Sequence, residues 1–193
     1  MAPLPSNGDA VDRMGGQIVV PQQPQDNQLS RNTRYRMSAD LVALGHDFPV
    51  LNDAGEHVFR FSGPAITNHD TIQIEDMRGR LLYSSQLHEA RKTNRIVILD
   101  SAETETGTVV RKPSSPLRDR FILEVSNGPG LTIDGSISTY EFRIVGPSGA
   151  VAEISKRWFR ARGSYGVEVT KSQDDALLLT AVVVLDQMIR GVT

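Results

Sequence analysis

SQDDALLLTAVVVLDQMIRG, residues Ser172 to Gly191, contains a run from Ala176 to Leu185 in which only Thr180 is polar. A helix built from such a run has no wet face, so it must be surrounded on every side. At ~1.5 Å per residue, Asp174 to Ile189 reaches roughly 24 Å. That falls short of the ~30 Å hydrocarbon core of a bilayer, and Asp186 breaks the run, so the stretch reads as a buried core helix in preference to a membrane span. Ser172 is placed to cap it, with Asp175 three residues on. Asp174 and Asp175 lie at the positive end of the helix dipole, Arg190 in the last turn and Gly191 at the C′ position. Val182, Val183 and Val184 are weak helix formers, which leaves strand as the competing assignment, and the caps decide for helix.

Such a helix needs a container, and the preceding chain has the pattern of one. From Tyr35 onward, short runs with period-two alternation are separated by turn residues every eight to twelve positions, the signature of a sandwich or barrel. The predicted strands are Tyr35–Ala43, Phe48–Leu51, His57–Phe61, Thr71–Glu75, Leu81–Leu87, Arg95–Leu99, Thr108–Lys112, Phe121–Ser126, Leu131–Gly135, Tyr140–Val145, Val151–Phe159 and Tyr165–Thr170. Ile72 and Ile74 share one face and Gln73 and Glu75 the other; Tyr140, Phe142 and Ile144 oppose Glu141 and Arg143 in the same way. A four-residue turn recurs before a strand at Asn52–Gly55, Asp76–Gly79 and Gly146–Gly149, each ending in the Gly such a turn favours. About twelve strands followed by one wholly apolar helix predict a closed antiparallel barrel with the helix inside, since closure also removes exposed edges.

Residues 1 to 32 differ. Pro3, Pro5, Pro21 and Pro24 stand among Gln, Asn, Asp and Gly, with only Ile18 to Val20 apolar in sequence, a composition that cannot offset chain entropy. They are expected to form a disordered Pro/Gln-rich tail dispensable for folding, with the barrel domain at 33–193. The chain of 193 residues carries a formal charge of −2, no cysteine, 39% hydrophobic and 23% charged residues. Net acidity argues against a general nucleic-acid binder, which needs a basic surplus to neutralise phosphates. Without Cys there is no disulfide framework, thiolate nucleophile or palmitoylation. The first sixteen residues lack the basic and apolar regions of a secretory signal, so the expected location is the cytoplasm, peripheral at a membrane surface when bound.

The succession LGHDFPVLNDAGEHVFRFSG, DTIQIEDMRGRLLYSS, VAEISKRWF, YGVEV and DDALLLTAVVVLDQM resembles the LURP-one-related proteins of the tubby C-terminal-like superfamily, which also includes the phospholipid scramblases. The resemblance covers residues ~35 to 190 and implies a twelve-stranded barrel around a central C-terminal helix. It implies no catalytic residues. Scramblase-like relatives carry cysteines for lipid anchoring and an acidic calcium segment; here Cys is absent and Asp174–Asp175 do not form a loop of alternating oxygen ligands.

The richest candidate site is Lys156, Arg157, Trp158, Arg160 and Arg162, with the sole Trp of the chain. Arg offers forked donors to phosphate and Trp suits an interface, so the segment fits an anionic lipid headgroup. The plain alternative is a solvated hairpin whose cations balance nearby acids and whose Trp158 caps the barrel. His46, His57, His69 and His88 match no metal-ligand spacing, and no Gly-rich phosphate loop opens a helix. Asp186 is expected to pair with Arg190 or with a base at the barrel mouth. The expectation is a non-enzymatic barrel that binds an anionic phospholipid or phosphoinositide headgroup or scaffolds a protein partner, with no cofactor, no metal and no transmembrane span. A scramblase-like membrane protein and an enzyme with an unrecognised site are the alternatives.

Overall fold

Twelve antiparallel strands close on themselves in the computed structural model, which describes residues 32–38, 47–63, 71–86, 94–112, 119–158 and 164–190. They are β1 Thr33–Ser38, β2 Phe48–Leu51, β3 His57–Ser62, β4 Thr71–Asp76, β5 Leu81–Gln86, β6 Arg95–Asp100, β7 Glu105–Lys112, β8 Asp119–Val125, β9 Leu131–Ser136, β10 Glu141–Gly146, β11 Gly149–Ser155 and β12 Ser164–Val169, followed by α1 Asp175–Arg190. Each strand pairs with its sequence neighbour, and β1 closes the circuit on β12 with Thr33 opposite Val169 and Ser38 opposite Ser164. The predicted tail lies outside the described residues apart from Asn32, whose side-chain amide donates to Glu168 at 2.8 Å.

The wall alternates as the sequence predicts. Val50, Phe61, Ile72, Ile74, Ile98, Phe121, Ile133 and Ile144 are buried, while their strand neighbours reach solvent. Eight strands enclose a bore that their own side chains fill; twelve leave room for one helix ~10–12 Å across. Helix α1 fills it, with every residue from Ala176 to Ile189 buried. Each Leu or Val placed there is worth roughly 1.5–3 kcal/mol against exposure, enough to override the helix reluctance of the Val182–Val184 run. Thr180, the one polar residue between Ala176 and Leu185, is satisfied, because its hydroxyl donates to the Ala176 carbonyl at 2.8 Å.

Alternating strand direction gives the barrel two unlike ends. At the end where α1 begins, Asn52, Asp76 and Asp100, spaced by 24 residues, open the same turn. Each side-chain oxygen accepts the N–H groups two and four residues on, at 2.8–3.0 Å. A register shift precedes each turn, at Val50/Leu51, Ile74/Glu75 and Ile98/Leu99. The fourth turn position is left-handed in all three, at Gly55 (φ 78), Gly79 (φ 77) and Glu103 (φ 59). Of the three turns predicted from glycine, 52–55 and 76–79 share this geometry, whereas Gly146 and Gly149 pair with each other across a two-residue turn; the repeat instead includes 100–103, where Glu103 hides it, and β7 begins at Glu105 where the sequence reading starts at Thr108. At Gly135 a Cβ would sit 2.2 Å from the Glu141 carbonyl oxygen, so only glycine lets Phe142 of β10 cross β9 there.

The helix cap and the end of β11 also differ from the sequence reading. The N-cap of α1 is Asp174, whose carboxylate accepts the Leu177 N–H at 3.0 Å, while Ser172 holds a left-handed turn at φ 70. The capping residue must stand immediately before the first helical residue, and Ser172 is two positions too early. Strand β11 ends at Ser155, where the sequence reading continues to Phe159. The Ser155 hydroxyl accepts the Arg157 N–H at 3.1 Å and turns the chain out of the ladder. Residues 39–43, 87, 159 and 191 of the predicted strand and cap positions lie outside the described residues.

Candidate functional site

Lys156, Arg157 and Trp158 follow β11 at the end of the barrel where α1 finishes, and the turn at Ser155 sends them in different directions. Inward positions of β11 alternate through Ala152 and Ile154, and Lys156 continues that parity. Its ammonium stands 4.2 Å from the centre of the Tyr140 ring, a cation–π contact, and among the described residues it meets no carboxylate. Arg157 turns outward; its guanidinium approaches Glu141 at 3.3 Å with 77% of the side chain exposed. A pair so wet is worth ~0–1 kcal/mol and leaves the cation available to other anions.

Trp158 does not cap the barrel. It lies half-buried on the outer wall in a shallow groove lined by Asp134, Glu141, Arg143, Glu153 and Ser155, with the Arg34 guanidinium 4.9 Å from its ring centre. Arg34 also binds Glu168 through two nitrogens at 3.0 and 2.5 Å. The five predicted site residues are thus split: Lys156 closes the mouth, Arg157 and Trp158 lie on the wall, and Arg160 and Arg162 fall outside the described residues.

Beneath Lys156 is the polar floor of the mouth. Asp186, fully buried, accepts from the Tyr140 hydroxyl, from Arg190 Nε at 2.7 Å and from the Gln187 amide at 3.5 Å. The predicted Asp186–Arg190 pair is therefore present, with a tyrosine added from the β9–β10 turn. Tyr140 itself sits at φ 55, which lets the chain turn back through the Ile137 carbonyl and still aim the ring inward. The Tyr165 ring lies 5.3 Å from that of Tyr140, and its buried hydroxyl has no hydrogen-bond partner among the described residues. Burial holds the Tyr140 and Tyr165 phenols well above the ordinary tyrosine range, with the Asp186 carboxylate adding to both.

A row of charges on the wall escapes the sequence reading because it is assembled across strands. Arg34, Glu168, Glu153, Arg143, Asp134, Arg120 and Lys112 stand opposite one another in successive pairings from β1 through β12 to β7. Arg143 binds Glu153 at 2.7 Å and Arg120 binds Asp134 at 2.9 Å. Glu168 faces Glu153, and hydrogen bonds from Asn32 and Arg34 hold the Glu168 carboxyl below its usual range. The row ends at Lys112, which has no carboxylate partner among the described residues. Period-two alternation marks each of these residues as outward; only the register makes them neighbours.

A closed twelve-stranded antiparallel barrel threaded by a buried C-terminal helix defines the tubby-like barrel class. Within that class the chain belongs to the LURP-one-related family, whose sequence profile matches residues 33–186. A crystal structure of an Arabidopsis thaliana protein superposes with a TM-score of 0.58 at 16% identity, over 81% of this chain and 90% of that one, a likeness of fold. No curated protein sequence matches the chain. No helix among the described residues is long and apolar enough to cross a membrane.

Proposed function

We propose that the chain is a non-enzymatic binding barrel that holds an anionic group, a phospholipid or phosphoinositide headgroup, at the end where α1 finishes. One observation carries this reading: the Lys156 ammonium is fixed over the Tyr140 ring at the mouth without a carboxylate beside it, and the exposed Arg157 follows it directly. A preorganised cation costs little conformational entropy when an anion arrives, and a phosphate finds two donors in sequence. Interior binding is disfavoured because α1 occupies the bore along its whole length. The buried polar groups support a binding role over a catalytic one, since Asp186 is engaged by Tyr140, Gln187 and Arg190 in holding the helix.

Sedimentation with vesicles of neutral phosphatidylcholine, with and without acidic phospholipid, tests this. The protein should pellet with acidic vesicles at low salt and be released as salt rises, because exposed charges are screened over ~8 Å at physiological ionic strength. Lys156→Glu with Arg157→Glu should remove most of the binding. Absence of binding to acidic vesicles at low salt would retire the reading.

A further inference from the structure

The turn between β8 and β9 reads Ser126-Asn127-Gly128-Pro129-Gly130, and every residue in it is exposed. Asn127 differs there from the other asparagines of the described residues. Asn52 is locked: its side-chain oxygen accepts the Ala54 and Glu56 N–H groups at 3.0 Å, and its amide donates to the Glu56 carboxylate at 2.9 Å. Asn32 donates to Glu168 at 2.8 Å and leads into β1. Asn94 is followed by Arg95, the first residue of β6, whose side chain crowds the position after it. The Asn127 amide makes no hydrogen bond among the described residues, and a glycine follows it.

We propose that Asn127 is a site of spontaneous covalent change, converting to aspartate and isoaspartate in the folded protein. The first step is a ring closure. The backbone nitrogen of Gly128, after losing its proton to solvent base, bonds to the side-chain carbonyl carbon of Asn127; the bond from that carbon to the side-chain nitrogen breaks, and the nitrogen takes a proton from water and leaves as ammonia. Water then opens the five-membered imide, at the side-chain carbonyl to give aspartate or at the main-chain carbonyl to give isoaspartate. Glycine favours closure because no Cβ stands between the reacting atoms and its backbone turns freely. The Gly128 N–H is held by the Val125 carbonyl at 3.3 Å, longer than the ~2.7–3.2 Å of a well-made amide bond, so the nitrogen is readily released. Exposure brings water and base to both atoms. The wall stays closed meanwhile, because Ser126 moors the turn: its N–H donates to the Thr106 carbonyl at 3.0 Å and its hydroxyl to the Glu105 carbonyl at 2.7 Å. Conversion adds one negative charge at the end of the barrel where α1 begins, and isoaspartate also lengthens the main chain by one carbon between β8 and β9.

Incubating the full chain in mildly alkaline buffer, followed by tryptic peptide mapping, tests this site by site. Peptide 121–143 holds Asn127 as its sole side-chain amide, and peptide 37–60 holds Asn52 as its sole one. In the native protein the first should gain one mass unit as ammonia is released, at a rate within severalfold of that in urea, while the second stays unchanged. Gly128→Ala should slow the gain severalfold. That variant should keep its melting temperature, because an added Cβ meets nothing nearer than Val125 Cγ1 at 3.5 Å. A gain seen in urea and absent from the native protein would overturn the proposal, since the fold would then hold the turn closed to the reaction. An equal gain at 37–60 would overturn the contrast with the locked Asn52, and a gain undiminished in Gly128→Ala would overturn the ring-closure route.

Discussion

Asp186 is the one charged residue that is fully buried among the described residues, and its surroundings show how a charge is tolerated in an apolar bore. Arg190 reaches it from one turn on, Tyr140 from across the mouth, and the nearby Tyr165 hydroxyl stays without a partner. Two substitutions should therefore act in opposite directions. Arg190→Met leaves the carboxylate short of its cation and should cost about 2–3 kcal/mol, less than the ~3–5 of a fully buried pair because 42% of the Arg190 side chain is exposed. Tyr165→Phe removes a buried orphan hydroxyl and should be neutral or stabilising by ~1 kcal/mol. Urea denaturation of both checks this, and a destabilised Tyr165→Phe would show that the hydroxyl has a partner after all. The spacing of Asp186 and Arg190 makes their pairing legible in the sequence. Tyr140 is not, because it stands 46 residues upstream and only barrel closure brings it in.

Among the elements, the hairpins at residues 52, 76 and 100 show where local chemistry is readable and where it is masked. Asn or Asp at the first position and Gly at the fourth announce the first two turns; the third keeps the Asp and the geometry but has Glu103 at a left-handed φ of 59. A non-glycine residue pays roughly 1 kcal/mol for that conformation. Glu103→Gly should therefore stabilise the protein by a few tenths to about 1 kcal/mol, seen as a raised melting temperature, and a fall would mean that the Glu103 side chain contributes more than its backbone costs. The depressed carboxyl of Asp76, held by the N–H of Arg80 and then of Arg78, shows the same turn as a pH-dependent element. Its contribution is present above the unfolded carboxylate range and is lost as pH falls through the lower folded value. The helix is legible from its apolar run, whereas its cap reads two residues early because Ser172 and Asp174 are equally good capping residues on composition alone.

For the molecule as a whole, all four tyrosines have their phenols raised. Burial is the first cause in each, followed at Tyr35 and Tyr83 by hydrogen bonds to Asp175 and Asp174 at the start of α1. A group whose folded pKa exceeds its unfolded value near 10 contributes stability below that value and loses it as pH rises. Stability should thus fall steeply above pH ~10, and phenolate absorbance should appear together with the loss of native circular dichroism. Tyrosines titrating while the barrel remained intact would contradict the burial described above. Closed topology was readable at this scale because an apolar helix demands a container and twelve alternating strands supply one. The dispersal of Lys156, Arg157 and Trp158 to mouth and wall was not, since it depends on one hydroxyl, that of Ser155, ending a strand.

Helix α1 follows every strand in chain order, and β1 closes on a strand more than a hundred residues later. During synthesis the wall is therefore made before its filling, and the staves cannot close around anything until the plug emerges. Folding should wait for α1 to leave the ribosome, with the inward faces of a dozen strands sticky in the interval, which makes the nascent chain a natural client for chaperones that shield apolar surface.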